Sequence, residues 1–462
     1  MRRPTIADLS NQGSYLALGP ARSHQAGQGL RYLMKAGSVL VAAVGAVGGL
    51  TSAGCETVRT GANPDVPAWV HRPAGVLDVW YSRRIVAAMR HRGEPYQRGR
   101  VELDIAGRRL FVGSSDGGLY ALQAADGEAL WRFETAGAVQ SEPLFDAKEN
   151  VVYFGSNDGA LYKVDADTGQ LHWRFATNAE VSKKPFVKDG ILYFSNANDS
   201  VLAVSTDSGK LRWVQHRTPA MGMEIAGHSG VTVWRGKVYA GFSDGTVAAF
   251  DAASGEERWQ PVDLAADAEM VLGQIPEYLD LDTTPIPGYV EGTPAIYVAS
   301  YAGGVYALDA ETGVQIWANS AVRGATSLLH WTQPEHTERG SRAMVPARSY
   351  LIAATGTSGL WALDTGSGEE IWRQRLPRGG VTAPVRFAGA LLVSTSQLGL
   401  FLVSPLDGRV IDGLHMTSGT AAAPAAYGRR AFIVTNGGEL LAVEIAAPGS
   451  SRELEPWPRQ LL

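Results

Sequence analysis

Internal repetition restricts this chain more than any other feature. One pattern of about 40 residues returns along the sequence. Its clearest copy, residues 151–175, reads VVYFGSNDGALYKVDADTGQLHWRF; relatives start at Leu110, Ile191, Val238, Ile296 and Leu351, and weaker copies at Leu391 and Ala431, which makes eight. Within the clearest copy, Val151 to Phe154 is an apolar run suited to a buried strand. Asn157-Asp158-Gly159 and Asp167-Thr168-Gly169 supply hairpin turns in which glycine takes positive φ. Leu171, Trp173 and Phe175 alternate with His172 and Arg174 at the period of a strand with one buried face. A further strand around residues 184–187 precedes the next copy. Four short strands in a repeat of this length is the arithmetic of a β-propeller blade. The chain is therefore expected to be all-β, a single eight-bladed β-propeller over residues 77–447 with few helices.

Trp131, Trp173, Trp213, Trp259, Trp317 and Trp372 occupy one place in the unit, on its last strand. Repetition at equivalent positions points to packing of blade on blade and away from cofactor stacking. The seventh copy has Asp412 there, which predicts a more weakly held blade. The eighth copy ends at Ile445 without an outer strand. Residues 77–82, LDVWYS, precede the first full copy and read as the missing piece. An N-terminal strand is thus expected to complete the last blade and hide two sheet edges at once. Within it, Trp80 is expected to be the main packing residue.

Composition narrows the function. The 462 residues are 45% hydrophobic and only 19% charged, so a large core forms. One cysteine, Cys55, excludes a disulfide framework, a Cys-ligated zinc and an iron-sulfur cluster within the chain. Net charge is -5, and the first 54 residues hold five Lys/Arg against one Asp, so the remainder is more acidic still. With no basic stripe, nucleic acid is not expected as a partner. The histidines are scattered without an HExxH pairing, and Asp165-Ala166-Asp167 recurs as a turn instead of extending into a calcium loop. No metal, cofactor or catalytic group is read from the residues. His330 and His336 fall in an insertion, 323–349, read as a solvated loop.

The N-terminus reads as an address. Residues 36–50 are uncharged and follow Arg31 and Lys35. The run is shorter than the roughly 20 residues a span needs, so it is a signal-peptide core. Thr51-Ser52-Ala53-Gly54-Cys55 resembles a bacterial lipobox, with Ser52 where that pattern prefers a branched apolar residue. The resemblance implies removal of residues 1–54, with Met34 as the translation start, and lipidation of Cys55. Residues 55–76, with Pro64, Pro67 and Pro73, read as an extended tether, and 448–462 as a C-terminal tail. Glu56, in place of the aspartate that marks inner-membrane retention, implies the periplasmic face of the outer membrane, with the lipid as anchor.

The run Ala307 to Trp317 fits A-L-D-A-x-T-G-x-x-x-W and resembles the PQQ-type propeller repeat, a resemblance that covers residues 77–445. Two groups share that repeat. Quinoproteins hold pyrroloquinoline quinone and Ca²⁺ in the central channel beside a ring of two adjacent disulfide-bonded cysteines, which one cysteine cannot make. The outer-membrane assembly lipoprotein family BamB has the same blade count and no cofactor. Here Leu279-Asp280-Leu281-Asp282-Thr283-Thr284-Pro285 resembles that family's D-x-D-T-T-P signature, opening the fifth blade. Met223-Glu224-Ile225-Ala226-Gly227-His228-Ser229 takes the place of its second contact loop, L-x-L-R-G-x-S; Gly227 and Ser229 match, and Ala226 replaces the arginine. The resemblance implies a non-enzymatic periplasmic scaffold assisting assembly of β-barrel outer-membrane proteins. Met223, Ile225, Asp280 and Asp282 would contact the POTRA domains of a BamA-type partner, and client barrels would pair with sheet edges. At these residues the alternatives are turn capping by the aspartates and blade packing by Met223 and Ile225. For the whole chain they are another binding propeller or a quinoprotein dehydrogenase.

Overall fold

The computed structural model describes residues 76–86, 99–220, 228–274, 278, 280–337, 344–376, 380–397, 399–416 and 418–445. The repeats become eight four-stranded antiparallel sheets set around a central channel, the eight-bladed propeller expected from the sequence. Blades 1 to 7 are residues 101–134, 144–176, 186–216, 231–263, 286–319, 325–374 and 385–415; blade 8 is residues 425–445 joined by Leu77–Arg84. In blades 1 to 7 the strands run from inner to outer in chain order, so every connection to the next inner strand lies on one face, here called upper. The turns between second and third strands share that face. First-to-second and third-to-fourth turns lie on the lower face. Among the described residues the single helix, Leu264–Leu272, sits in the connection from blade 4 to blade 5. The Asp263 side chain caps it by accepting from Ala266 N, and Gly273 ends it in the left-handed conformation.

The core is divided among the blade interfaces. One apolar cluster unites Tyr297 and Trp317 of blade 5 with Leu351 and Trp361 of blade 6; another unites Tyr193 of blade 3 with Val238 and Phe250 of blade 4. The repeated tryptophans make these interfaces. The indoles of Trp131, Trp173, Trp213, Trp259, Trp317 and Trp372 lie against Gly169, Gly209, Gly255, Gly313, Gly368 and Gly408, each in the third-to-fourth turn of the following blade. These glycines have φ between 65° and 78°, and a Cβ at any of them would fall 2.4 to 2.8 Å from an indole carbon. The turn therefore needs glycine twice, for its conformation and for the tryptophan's seat. Five of the indoles also donate Nε1 to a carbonyl of that turn, at Ala166, Thr206, Ala252, Thr365 and Pro405, over 2.9 to 3.1 Å. Trp259 Nε1 has no hydrogen-bond partner among the described residues, and the equivalent carbonyl, Ala310 O, accepts from Tyr239 Oη.

Closure follows the sequence reading. Leu77–Arg84 runs antiparallel to Glu439–Ile445, from Leu77 opposite Ile445 at the lower face to Arg84 opposite Glu439 at the upper. The expectation for Trp80 is corrected. A bulge lies between Val79 and Tyr81, so Tyr81 pairs with Ala442 as Trp131 pairs with Ala121 in blade 1. Tyr81 is the residue that takes the tryptophan position. Its ring lies against Gly127 of blade 1, and its Oη donates to Ala124 O at 3.0 Å. Trp80 instead occupies the bulge, partly buried beneath the Arg430 guanidinium, 3.8 Å from its ring centroid.

Asp412 stands opposite Leu402, in register with the tryptophans, but it forms a bond of its own. Blade 8 has no turn between its third and outer strands, because the chain is interrupted there, so a tryptophan would have no glycine to rest on. Asp412, 3% exposed, accepts from the amides of Val76 and Leu77 at 2.6 and 2.8 Å, holding the start of the closing strand. The insertion after Arg323 is also corrected. Ala325–Gln333 and Arg348–Thr355 pair along their length as the inner hairpin of blade 6, continued by His336–Thr337 against Met344–Val345. Trp331 is buried there, and Arg386 donates to His330 O at 2.6 Å, so this segment is a packed ribbon and not a solvated loop.

Candidate functional site

The described parts of the loops singled out in the sequence, residues 228–230 and 280–285, meet on the upper face. Met223 and Ile225 lie outside the described residues, as does Cys55; the description of their loop begins at His228. Segment 280–285 lies along blade 4. Leu281 is buried against Gly241, and its amide donates to Phe242 O at 3.3 Å. Ser229 Oγ donates to Thr283 O at 3.0 Å and Thr232 Oγ1 to Pro285 O at 2.6 Å. Gly230 faces Thr284 so closely that a Cβ would lie 2.4 Å from its hydroxyl. Asp280 and Asp282 are brought together with the root of the second loop, and both are buried, 4% and 8% exposed. Asp280 O accepts from Tyr301 N, and Asp282 lines the mouth of the channel.

Blade 3 completes this junction. Ser195 Oγ donates to Ser229 O, Ser182 Oγ lies 3.4 Å from His228 Nδ1, and Lys183 Nζ donates to Asp282 O at 3.0 Å. His228 is 7% exposed, and its Nε2 has no partner among the described residues. Burial, aided by the Lys183 charge, pushes its pKa down to about 3, so the ring is neutral.

The channel below holds a part-buried charge cluster. Arg100 pairs with Glu142 at 2.7 Å, and Lys184 with Glu102 at 2.6 Å and Glu142 at 3.2 Å. Burial favours neutral Glu142, but Arg100 and Lys184 outweigh it and hold the carboxyl below its ordinary range. Burial prevails at Glu102 and raises it. At Lys184, burial is outweighed by the two carboxylates and the pKa rises. Ile286, Leu328, Ala383 and Ala421 line the far side of a cavity of about 310 Å³. Sequence reasoning missed this cluster, although a signal existed. Proline follows Glu142, Lys184, Thr284, Ala383 and Ala423 at the start of inner strands, and the residue before proline is held extended. Each of these side chains lines the channel.

Comparison with known proteins supplies the identity of this architecture. The family described as outer membrane protein assembly factor BamB matches residues 78–153, 115–330 and 302–452. The chain belongs to the BamB family. It is 27% identical to BamB of Legionella pneumophila (strain Paris) over 208 residues, 44% of this chain and 47% of that protein. Quinohemoprotein alcohol dehydrogenase ADH-IIG of Pseudomonas putida is 30% identical over 154 residues, 29% of this chain and 20% of that enzyme. The chain spans about half the length of the BamB relatives it matches in sequence. Among solved structures, BamB from Moraxella catarrhalis superposes with a TM-score of 0.62 at 18% identity, covering 80% of this chain and all of that one. Quinohemoprotein alcohol dehydrogenase from Comamonas testosteroni gives 0.56 at 14% identity over 82% and 79%. These superpositions show a common fold.

Among the described residues no group of three or more His, Cys, Asp or Glu side chains converges as metal ligands do, and Glu102 and Glu142 are engaged by Lys184 and Arg100.

Proposed function

We propose that this BamB family member is a non-enzymatic scaffold in the assembly of β-barrel outer-membrane proteins, held to the periplasmic face of the outer membrane by lipid on Cys55. The family match over residues 78–452 carries this reading. The docking surface is the upper rim at residues 228–230 and 280–285, and its partner is the POTRA class of domain. Met223 and Ile225 supply the apolar part. Asp280 and Asp282 act from beneath, because their burial makes them organisers of the loop more than exposed contacts. The closing strand starts at the lower face, opposite this rim. Exposed sheet edges remain open to client strands.

The test is capture of purified POTRA domains from a BamA-type protein. Asp280→Asn with Asp282→Asn keeps shape while removing charge, and Met223→Ala with Ile225→Ala removes apolar surface. Each pair is expected to weaken capture about tenfold, the effect of a few hot-spot contacts. Full-strength capture by both folded variants would remove the rim from the reading. Saturable pyrroloquinoline quinone binding with Ca²⁺ and turnover of an alcohol would replace the scaffold by an oxidoreductase.

A further inference from the structure

The upper chamber of the channel, about 310 Å³, has the size of a small-molecule site, at the lower end of a range of about 300 to 1,000 Å³. Among the described residues its formal charges balance, Arg100, Lys183 and Lys184 against Glu142, Glu180 and Asp282. Blades 1 to 3 carry all of them but Asp282. Blade 6 stands opposite blade 2 in a ring of eight, and the wall from blade 5 round to blade 8 presents Ile286, Leu328, Ala383 and Ala421. Ile286 and Leu328 pack against the apolar cluster shared by blades 5 and 6, which makes that wall rigid. Arg100 and Glu142 stand where this chamber meets a lower cavity, since both residues line the two. Each keeps bonding capacity. A guanidinium has five N–H groups, and among the described residues Arg100 donates through Nη1 alone; a carboxylate has about four acceptor positions, and Glu142 accepts from Arg100 and Lys184. Both side chains keep surface within the channel, 40% and 23% exposed. Burial opposes the charge of Glu142, yet Arg100 and Lys184 hold its carboxyl below the ordinary range, so the pair is ionised.

A fixed pair of opposite charges facing an apolar wall selects a ligand by the arrangement of its charges. A lone anion drawn to Arg100 meets the Glu142 carboxylate, and a lone cation drawn to Glu142 meets the guanidinium. A molecule that carries both charges one carbon apart lies antiparallel to the pair and makes charge-assisted hydrogen bonds at each end. Its side chain then falls on the opposite wall. We propose that the upper chamber is a binding site for a free α-amino acid with an aliphatic side chain: the α-carboxylate on Arg100, the α-ammonium on Glu142, and the side chain against Ile286, Leu328, Ala383 and Ala421. This site does not rest on the docking reading above. A longer peptide does not match it, because its two end charges belong to different residues.

The experiment is titration calorimetry on the purified full chain with L-leucine as the probe. Three analogues each lack one feature: L-leucinamide the carboxylate, 4-methylpentanoate the ammonium, and glycine the side chain. Leucine is expected to bind saturably at one site per chain, and each analogue at least about tenfold more weakly, the effect of losing one charged contact or the buried side chain. Two variants locate the site. Arg100→Gln with Glu142→Gln keeps a hydrogen-bonded pair without charge, and Ala383→Leu fills the chamber from the apolar wall. Each should weaken leucine binding at least about tenfold, the second with the thermal midpoint of the wild type. Absence of saturable leucine binding by the wild type would overturn the proposal. So would equal affinity for leucine and any of the three analogues, or full affinity in Ala383→Leu, which would put the ligand elsewhere on the ring. Undiminished binding by a folded Arg100→Gln, Glu142→Gln chain would overturn it as well; if that double substitution prevents folding, Ala383→Leu alone decides the location.

Discussion

Two buried residues show how single side chains mark exceptions in a repeated fold. Asp412 stands where six blades have tryptophan, and the amides of Val76 and Leu77 that it accepts belong to a strand arriving from the far end of the chain. Asp412→Ala strands both amides and should cost about 2 to 3 kcal/mol, as for a hydrogen bond to a charged group. Asp412→Asn keeps an acceptor oxygen and should cost less than half of that; urea denaturation of the two variants checks the order. His228 gives a dependence on pH. Its folded pKa lies near 3 against about 6.5 in the unfolded chain. Between those values the unfolded state takes up a proton that the folded state refuses, so stability falls as pH drops from about 6.5 toward 3, by at most about 1.4 kcal/mol per unit. Lys183 is the charged neighbour that adds to the effect of burial. His228→Gln removes this titration while other groups titrate in both proteins alike. The stability gap between wild type and His228→Gln should therefore narrow by about 2 kcal/mol between pH 6.5 and 4.5, and a constant gap would mean that the folded ring takes up its proton as readily as the unfolded one.

At the scale of the element, the unit of construction is a strand with its tryptophan and the glycine turn of the next blade. Gly255→Ala imposes a Cβ at φ 78°, 2.7 Å from the Trp213 ring. Gly236→Ala, in the same blade, imposes one at φ 76° with nothing within 4 Å. The second should cost about 1 to 2 kcal/mol of conformational strain, and the first that amount plus the displacement of an indole. Equal losses in melting temperature would show that the indole has room to move. This element is legible in sequence because both partners recur at fixed spacing, and repetition separates a packing rule from chance. The closing strand is legible for the same reason, as the piece that the last copy lacks. What escapes is whatever occurs once. Tyr81 yields to Trp80 in a sequence reading because a bulge shifts the register by one residue, and a bulge has no signature in a strand read alone. The ribbon of blade 6 reads as a loop because its strands carry few of the apolar alternations that mark the others. The Asp280 and Asp282 motif is visible. Its burial is not, since it depends on Leu281 seating against Gly241, and neither is Lys183, whose target lies about a hundred residues further along the chain.

For the whole molecule, a ring of blades has no natural first member, and the chain's termini impose one. Each blade packs its apolar core against its two neighbours, so stability is approximately a sum of blade and interface contributions around the circle. The seam differs from other interfaces in a single respect. Between Ile445 and Leu77, which are paired neighbours, there is a gap where every other blade has a turn that seats an aromatic ring, Tyr81 in blade 1 and a tryptophan in blades 2 to 7. Asp412 answers that gap, so its identity should depend on connectivity and on nothing else in blade 7. A circular permutant tests this. Ile445 is joined to Leu77 by the turn sequence Ala-Asp-Thr-Gly-Gln, copied from residues 166–170, and new termini are opened within 87–98. In the natural connectivity Asp412→Trp should destabilise, because it removes the acceptor for Val76 and Leu77 and offers the indole no glycine. In the permutant the same change should be tolerated or stabilising, since the new turn supplies both the seat and the carbonyl that the other tryptophans use, and burying an indole contributes on the order of a few kcal/mol. The measurement is the difference in urea midpoint caused by Asp412→Trp in each connectivity. A change of sign, or at least a large reduction, is expected; the same loss in both would show that Asp412 serves blade 7 itself, and that the seam is not what selects it.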